Sequence, residues 1–206
     1  MVNIHEIKFD RDMTRGSTVL QQRLMTNQQI IIVGFMGSGK TTVAWEVGQR
    51  LNWAVIDLDD FITSSEGRSP AEIIEQDGEN SFREIETQVL GKVLSNNSRV
   101  VIAAGGGVWT VGENRRLIAK QGALTVWLDA PFELCWDRIQ VKREMRPLAP
   151  SEEVAKRLYR DRRPIYESAD LRIPVAENDT AEEIAGRLID RVTTIGGSET
   201  EDRTRV

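Results

Sequence analysis

Histidine and cysteine are nearly missing from this 206-residue chain, which has one of each, His5 and Cys135. A lone cysteine excludes an intrachain disulfide and any thiolate-zinc cluster. A lone histidine in the N-terminal stretch leaves no imidazole for catalysis. Together these absences remove the Ser-His-Asp and Cys-His hydrolases and most zinc enzymes. No apolar run approaches the ~20 residues of a membrane-spanning helix. The first 29 residues lack the apolar block of a signal peptide, and Glu6, Asp10 and Asp12 suit no transit peptide. A soluble, cytoplasmic protein with no membrane partner is the expectation. Positive charge is not in excess either: Lys+Arg 27 against Asp+Glu 32 give a net charge of −5 and a pI near 5.1, against a nucleic-acid-coating role. What remains for chemistry is Asp, Glu, Lys, Arg, backbone amides and a hard metal ion.

What is present is an alternation. Short apolar runs at Ile30–Val33, Ala54–Asp57, Val100–Ala104, Leu124–Leu128 and Leu171–Val175 read as buried parallel strands. Between or after them, helices are expected over Thr41–Leu51, Ser81–Leu94, Glu113–Lys120, Phe132–Ile139 and Ala181–Val192. Ser81-x-x-Glu84 and Thr180-x-x-Glu183 read as capping boxes, and Gly122 as a helix stop. Strands alternating with helices imply right-handed βαβ units and a parallel sheet covered on both faces. Pro174 would cost a ladder hydrogen bond, so its strand belongs at an edge. One domain over 28–192 is expected, with an N-terminal extension 1–27 and a flexible tail 193–206.

Gly34-Phe35-Met36-Gly37-Ser38-Gly39-Lys40-Thr41 fits G-x-x-x-x-G-K-[ST], directly after a strand and before a helix, the context this phosphate loop requires. Glycines let successive N–H groups turn inward, and the helix N-terminus adds partial positive charge. Lys40 would reach the phosphates and Thr41 would ligate Mg²⁺. Asp57-Leu58-Asp59-Asp60 ends the second strand, where an open sheet places its ligand crevice. One carboxylate there can hold Mg²⁺ through water and another can accept from a substrate hydroxyl; Asp60 reads as a helix cap. Arg83 has Glu86 three residues on, either a pair that fixes the guanidinium or a solvated surface pair. Gly105-Gly106-Gly107 weakens its strand end, and suits either a backbone close to a ligand or a flexible loop. Residues 138–163 hold nine basic and four acidic side chains, including Arg146-Pro147-Leu148, and read as a lid closing cations over a phosphate. Few aromatics interleave with these charges, so nucleic acid is not the expected partner.

In this order, GFMGSGKTT (34–42), DLDD (57–60), GENSFREIE (78–86), GGG (105–107), RPL (146–148) and RDRRPIY (160–166) resemble the shikimate kinase family of P-loop proteins. The resemblance covers about residues 28–192. It implies a three-layer α/β/α P-loop kinase fold, a five-stranded parallel sheet of order 2-3-1-4-5 and a mobile lid. It implies ATP-dependent phosphorylation of the 3-hydroxyl of shikimate, on the route to chorismate and aromatic amino acids, by a monomer. Carried over residue by residue, Gly37, Ser38, Gly39, Lys40, Thr41 and Thr42 hold ATP, and Thr41 and Asp57 serve Mg²⁺. Asp59 binds shikimate hydroxyls and takes the proton, Arg83 and Arg162 grip the shikimate carboxylate, and Gly105, Gly106 and Gly107 give backbone contacts. Arg146 is the lid arginine on the phosphates, catalytic together with Lys40 and Asp59. Two guanidiniums suit a carboxylate through bidentate geometry that lysine cannot supply.

The chain departs from the family in three places. An adenine-stacking arginine is usual seven residues before the lid arginine; here that spacing lands on Ile139, and Arg138, eight before, is taken as its counterpart. Ala104 stands where Thr or Leu is usual before the triplet, and the N-terminal arm is longer than usual. Two other readings stay open at this level: a carbohydrate kinase such as a gluconate kinase, and a non-catalytic ligand-sensing module.

Overall fold

In the computed structural model, residues 29–96, 99–142 and 147–197 are described. The expected extension 1–27, residues 198–206 of the expected tail, and Arg146 lie outside them.

Five short strands form one parallel sheet: β1 (Gln29–Val33), β2 (Ala54–Asp57), β3 (Val100–Ala103), β4 (Leu124–Asp129) and β5 (Leu171–Pro174), in the order 2-3-1-4-5. The three inner strands are buried along their whole length, which is why they read as unbroken apolar runs. The fifth alternates buried and exposed positions at one edge, and there Pro174 opposes Asp129 without disturbing an inner ladder.

Register decides where the chemistry can sit. Ile32 pairs with Ala103, and Ala103 with Asp57, so three strands end level and the loops after them leave from one rim. Those loops begin with Gly34, Leu58 and Ala104, and each leads into a segment singled out above for its residue types.

Seven α-helices occur among the described residues: α1 (Lys40–Leu51), α2 (Leu58–Glu66), α3 (Pro70–Ser95), α4 (Gly112–Gln121), α5 (Phe132–Lys142), α6 (Glu152–Tyr166) and α7 (Ala181–Gly197). None is long and apolar enough to cross a membrane. The Thr180–Glu183 capping box forms, and Gly122 ends α4 in the left-handed conformation as expected.

Four local readings need correction. The box at Ser81 and Glu84 does not start a helix: Ser81 instead donates to Asp77 O, and the working box is Ser69 with Glu72, one kink earlier. Gly78 (φ 88°) makes that kink, so a glycine read as a motif residue divides one long helical run. The cap of α2 is Asp57, which accepts from Asp59 N and Asp60 N; Asp60 is not the cap. Much of the expected basic lid is the helix α6, whose strongly polar sequence and internal Pro164 disguise its period. Finally, α7 continues to Gly197, five residues into the expected flexible tail.

Candidate active site

The phosphate loop is built by backbone. Gly34, Gly37 and Gly39 have φ of 145°, 77° and 96°. A side chain at Gly37 would also put its Cβ 2.4 Å from Cys135 O. Gly39 opens α1 with no side-chain cap, so the first N–H groups of that helix point into the cleft with their partial positive charge uncompensated from within. Ser38 Oγ is buried and has no partner among the described residues, a donor set for an incoming anion. Lys40 Nζ donates to Phe35 O at 2.8 Å, folding its ammonium back over the loop. Thr42 lines the same cleft. A triphosphate fits this cradle.

Asp57 does two things at once. Its Oδ1 caps α2, and its Oδ2 accepts from Thr41 Oγ1 at 2.6 Å. Two hard oxygen donors side by side at a phosphate loop fit Mg²⁺, which keeps water and phosphate oxygens around it and needs few protein ligands. The described residues contain no group of three or more His, Cys, Asp or Glu able to hold a metal, so a cation here would share its sphere with phosphate.

Arg138 of α5 reaches across to the loop, its Nη1 3.4 Å from Gly37 O and 3.6 Å from where a Gly39 Cβ would lie. Neighbouring Ile139 is 7 % exposed and forms part of the cleft wall. The guanidinium at the cleft thus comes from the position eight before Arg146, the longer spacing.

The opposite half is built by side chains. Asp59, in the first turn of α2, lines the cleft beside Gly105 and Gly106. The three glycines of the triplet have none of the positive φ values of the phosphate loop. Their lack of Cβ is what matters. A Cβ on Gly105 would lie 2.9 Å from Asp59 Oδ1 and 3.0 Å from Glu86 Oε1. On Gly106 it would lie 3.4 Å from Met36 N and 3.6 Å from Arg162 Nη1, and on Gly107 only 2.2 Å from Arg83 Nη1. Each glycine is a floor on which a charged group from elsewhere in the chain rests.

Arg83 is clamped. Its Nε and Nη2 donate to Glu79 Oε1 at 3.3 and 3.0 Å, and its Nη1 donates to Glu86 Oε2 at 2.7 Å. Phe82 lies under the guanidinium at 5.1 Å. Three N–H groups are engaged in these bonds, which leaves one on each terminal nitrogen for a ligand's carboxylate. The pair with Glu86 is no solvated surface pair, for the Glu86 side chain is 1 % exposed. Burial pushes the Glu86 carboxyl above its ordinary range, against the pull of Arg83, and the nearby Asp59 charge pushes the same way.

Arg162, 7 % exposed on α6, donates through Nη1 to Gly106 O at 3.2 Å. Tyr166, one helical turn on, donates its hydroxyl to the same carbonyl. Asp59, Arg83 and Arg162, far apart in the chain, thus meet around one glycine triplet at the sheet rim.

Glu79 and Tyr166 were not singled out from the sequence. Both carried a signal: each lies four residues from a site arginine on a helix, the spacing that brings side chains together. The other prominent buried charge, Asp129, belongs to a separate cluster in which Arg163 and Arg172 pair with it and lie over the Trp127 ring.

Comparison with known proteins gives a consistent result. The family model described as shikimate kinase matches residues 36–193. The shikimate kinase of Synechococcus sp. (strain CC9605) is 33 % identical over 197 residues, covering 94 % of this chain and 96 % of that one. That of Cereibacter sphaeroides is 38 % identical over 168 residues, covering 80 % and 82 %. Among solved structures, a shikimate kinase from Acinetobacter baumannii in complex with shikimate superposes with a TM-score of 0.74 at 31 % identity, covering 84 % of this chain and 97 % of that one.

Proposed function

The chain belongs to the shikimate kinase family, and from that premise we propose that it transfers the γ-phosphoryl group of ATP to the 3-hydroxyl of shikimate, giving shikimate 3-phosphate and ADP. The observation that carries this reading is the convergence of Asp59, Arg83 and Arg162 on the glycine triplet, whose Gly105 and Gly106 line one cleft with the phosphate loop. A hydroxylated carboxylic acid is what two guanidiniums and one carboxylate are suited to hold; an uncharged polyol would offer the remaining guanidinium N–H groups no bidentate carboxylate.

In this reading the site residues divide the labour. Backbone N–H groups of the loop, Ser38 and Lys40 bind the donor's phosphates. Thr41 and Asp57 would hold Mg²⁺, which when bound would supply neutralisation of phosphate charge. Arg83 and Arg162 orient the acceptor through its carboxylate, which puts its hydroxyl toward Asp59. Asp59 accepts that hydroxyl's hydrogen bond and takes its proton as the bond to phosphorus forms and the bond to the bridging oxygen breaks. Phosphoryl transfer depends on positioning and charge neutralisation more than on a strong base, so a lone Asp is sufficient. Arg138, which reaches the loop at Gly37 O, would stack on the donor's base, and Arg146 would supply the lid charge, roles that the family resemblance implies. Residues 28–192 form the catalytic unit, a reading supported by the family match over 36–193. In this reading the enzyme works in the cytoplasm as a monomer.

The test is a coupled ADP-release assay run in parallel with shikimate, gluconate and nucleoside monophosphates. Release with shikimate alone is expected. A protein that binds MgATP and releases no ADP with shikimate overturns the reading.

A further inference from the structure

We infer that Tyr166 is a positioning residue for shikimate binding: its hydroxyl and the Arg162 guanidinium share the Gly106 carbonyl, and this shared acceptor locks the arginine to the glycine triplet. The inference rests on the functional reading above, within which Arg162 holds the acceptor's carboxylate.

Arg162 is nine-tenths buried and donates to the Gly106 carbonyl, whereas Arg83 is fixed by the carboxylates of Glu79 and Glu86. A guanidinium held by one carbonyl can swing with that carbonyl. Gly106 has no side chain to anchor it, and a triplet of glycines is the least constrained backbone the chain can offer. A second donor on the same oxygen removes that freedom, because a carbonyl has two lone-pair directions and both are then used.

Tyr166 is well placed to supply it. The residue is 2 % exposed. Its ring stacks on Trp127 of the central sheet with centroids 6.2 Å apart and planes at 26°. Trp127 in turn lies beneath Arg163 and Arg172, both tied to Asp129. The hydroxyl is therefore referenced to the sheet and not to the loop it holds. Burial pushes the phenol up to about 12, so it stays a donor at any pH at which the enzyme would be assayed. Arg162 and Tyr166 are one turn apart on α6, so a single rigid helix carries both donors to one oxygen.

Tyr166→Phe tests this, with Trp127→Phe as the packing control. Losing one hydrogen bond that orients a ligand-binding group should raise the shikimate KM by about fivefold. KM for ATP should stay within about twofold, and the shikimate KM of the variant should stay raised at every pH assayed. Trp127→Phe keeps the hydroxyl and part of the ring stack, so it should lower Tm and raise the shikimate KM by less than Tyr166→Phe does. Tyr166→Phe with wild-type shikimate KM overturns the inference. So does a Tyr166→Phe protein in which both KM values and Tm shift together, the pattern of a purely structural residue. A wild type without shikimate-dependent ADP release overturns the functional reading and this inference together; an active wild type with an indifferent Tyr166→Phe overturns this inference alone.

Discussion

The two halves of the cleft use glycine in opposite ways. In the phosphate loop, glycine supplies conformation: Gly34, Gly37 and Gly39 adopt φ values that side chains disfavour, and the resulting backbone is itself the binding surface. In the triplet, glycine supplies absence: the backbone is ordinary, and the missing Cβ atoms make room for Asp59, Glu86, Arg162 and Arg83. One half is a contiguous stretch that carries its own function. The other half is a platform, and its function arrives from α2, α3 and α6. The first should be sensitive to what backbone can do, the second to what side chains can reach.

The sharpest break in this division comes at its boundary, where Asp59 stands. Asp59→Asn keeps the shape and removes the base, so turnover should fall by about 10²–10⁴-fold. ATP affinity, a property of the loop, should change by no more than about twofold. ADP-release kinetics together with nucleotide titration check both numbers. Turnover at the wild-type level would reduce Asp59 to a residue of the α2 first turn, and a parallel loss of ATP affinity would mean that the halves do not separate.

A pair of alanines contrasts the halves directly. Gly107→Ala drives a Cβ into a guanidinium that Glu79 and Glu86 hold in place, so Arg83 must leave its clamp. Loss of charge-assisted bonds of this kind should raise the shikimate KM by about tenfold to a hundredfold, with ATP KM unaltered. Gly37→Ala meets both a φ of 77° and the Cys135 carbonyl, an obstacle of backbone that cannot swing aside. It should raise the ATP KM and lower Tm, with the shikimate KM the less affected. If the two variants damage the same substrate's KM, the distinction drawn between conformation and absence fails.

This contrast also explains what could be read from sequence. The edge place of Pro174, the Thr180 box and the phosphate loop are set by local pattern or by contiguous motif, the sheet order is what the resemblance implies, and all are found in the structure. The triplet's neighbours are not local. Nothing in Gly-Gly-Gly states that its floor carries Arg83 from 24 positions upstream in the chain; only the resemblance between whole sets of motifs brought those residues together. The errors share a cause. Ser81 and Glu84 satisfy the letter of a capping box, but tertiary packing favoured the earlier start at Ser69, with Gly78 absorbing the change of direction. The helix α6 was missed because its buried positions include an arginine and a tyrosine, residue types that a hydrophobic period does not count.

The smallest predicted effect probes the platform half through pH. Glu86 holds Arg83 only while ionised, and burial raises its carboxyl above the ordinary value of 4.5 in spite of that arginine. The groups facing it are Arg83, Asp59 and Arg162, with Glu79 on the far side of the guanidinium. Lowering the pH therefore protonates Glu86 before an exposed carboxylate would titrate, and the shikimate KM should climb about two- to threefold, while the ATP KM does not follow it. Glu86→Gln is neutral throughout, so its shikimate KM should be raised already at neutral pH and lie flat across that window. Stability moves in the opposite sense. A carboxyl with a raised folded-state value contributes stability that is full below 4.5 and is lost as pH rises through the folded value. Measured as Tm against pH, Glu86→Gln should gain on the wild type as pH increases. A Gln variant that keeps the wild-type pH dependence of shikimate KM would assign the titration to another group and leave Arg83 held by Glu79 alone.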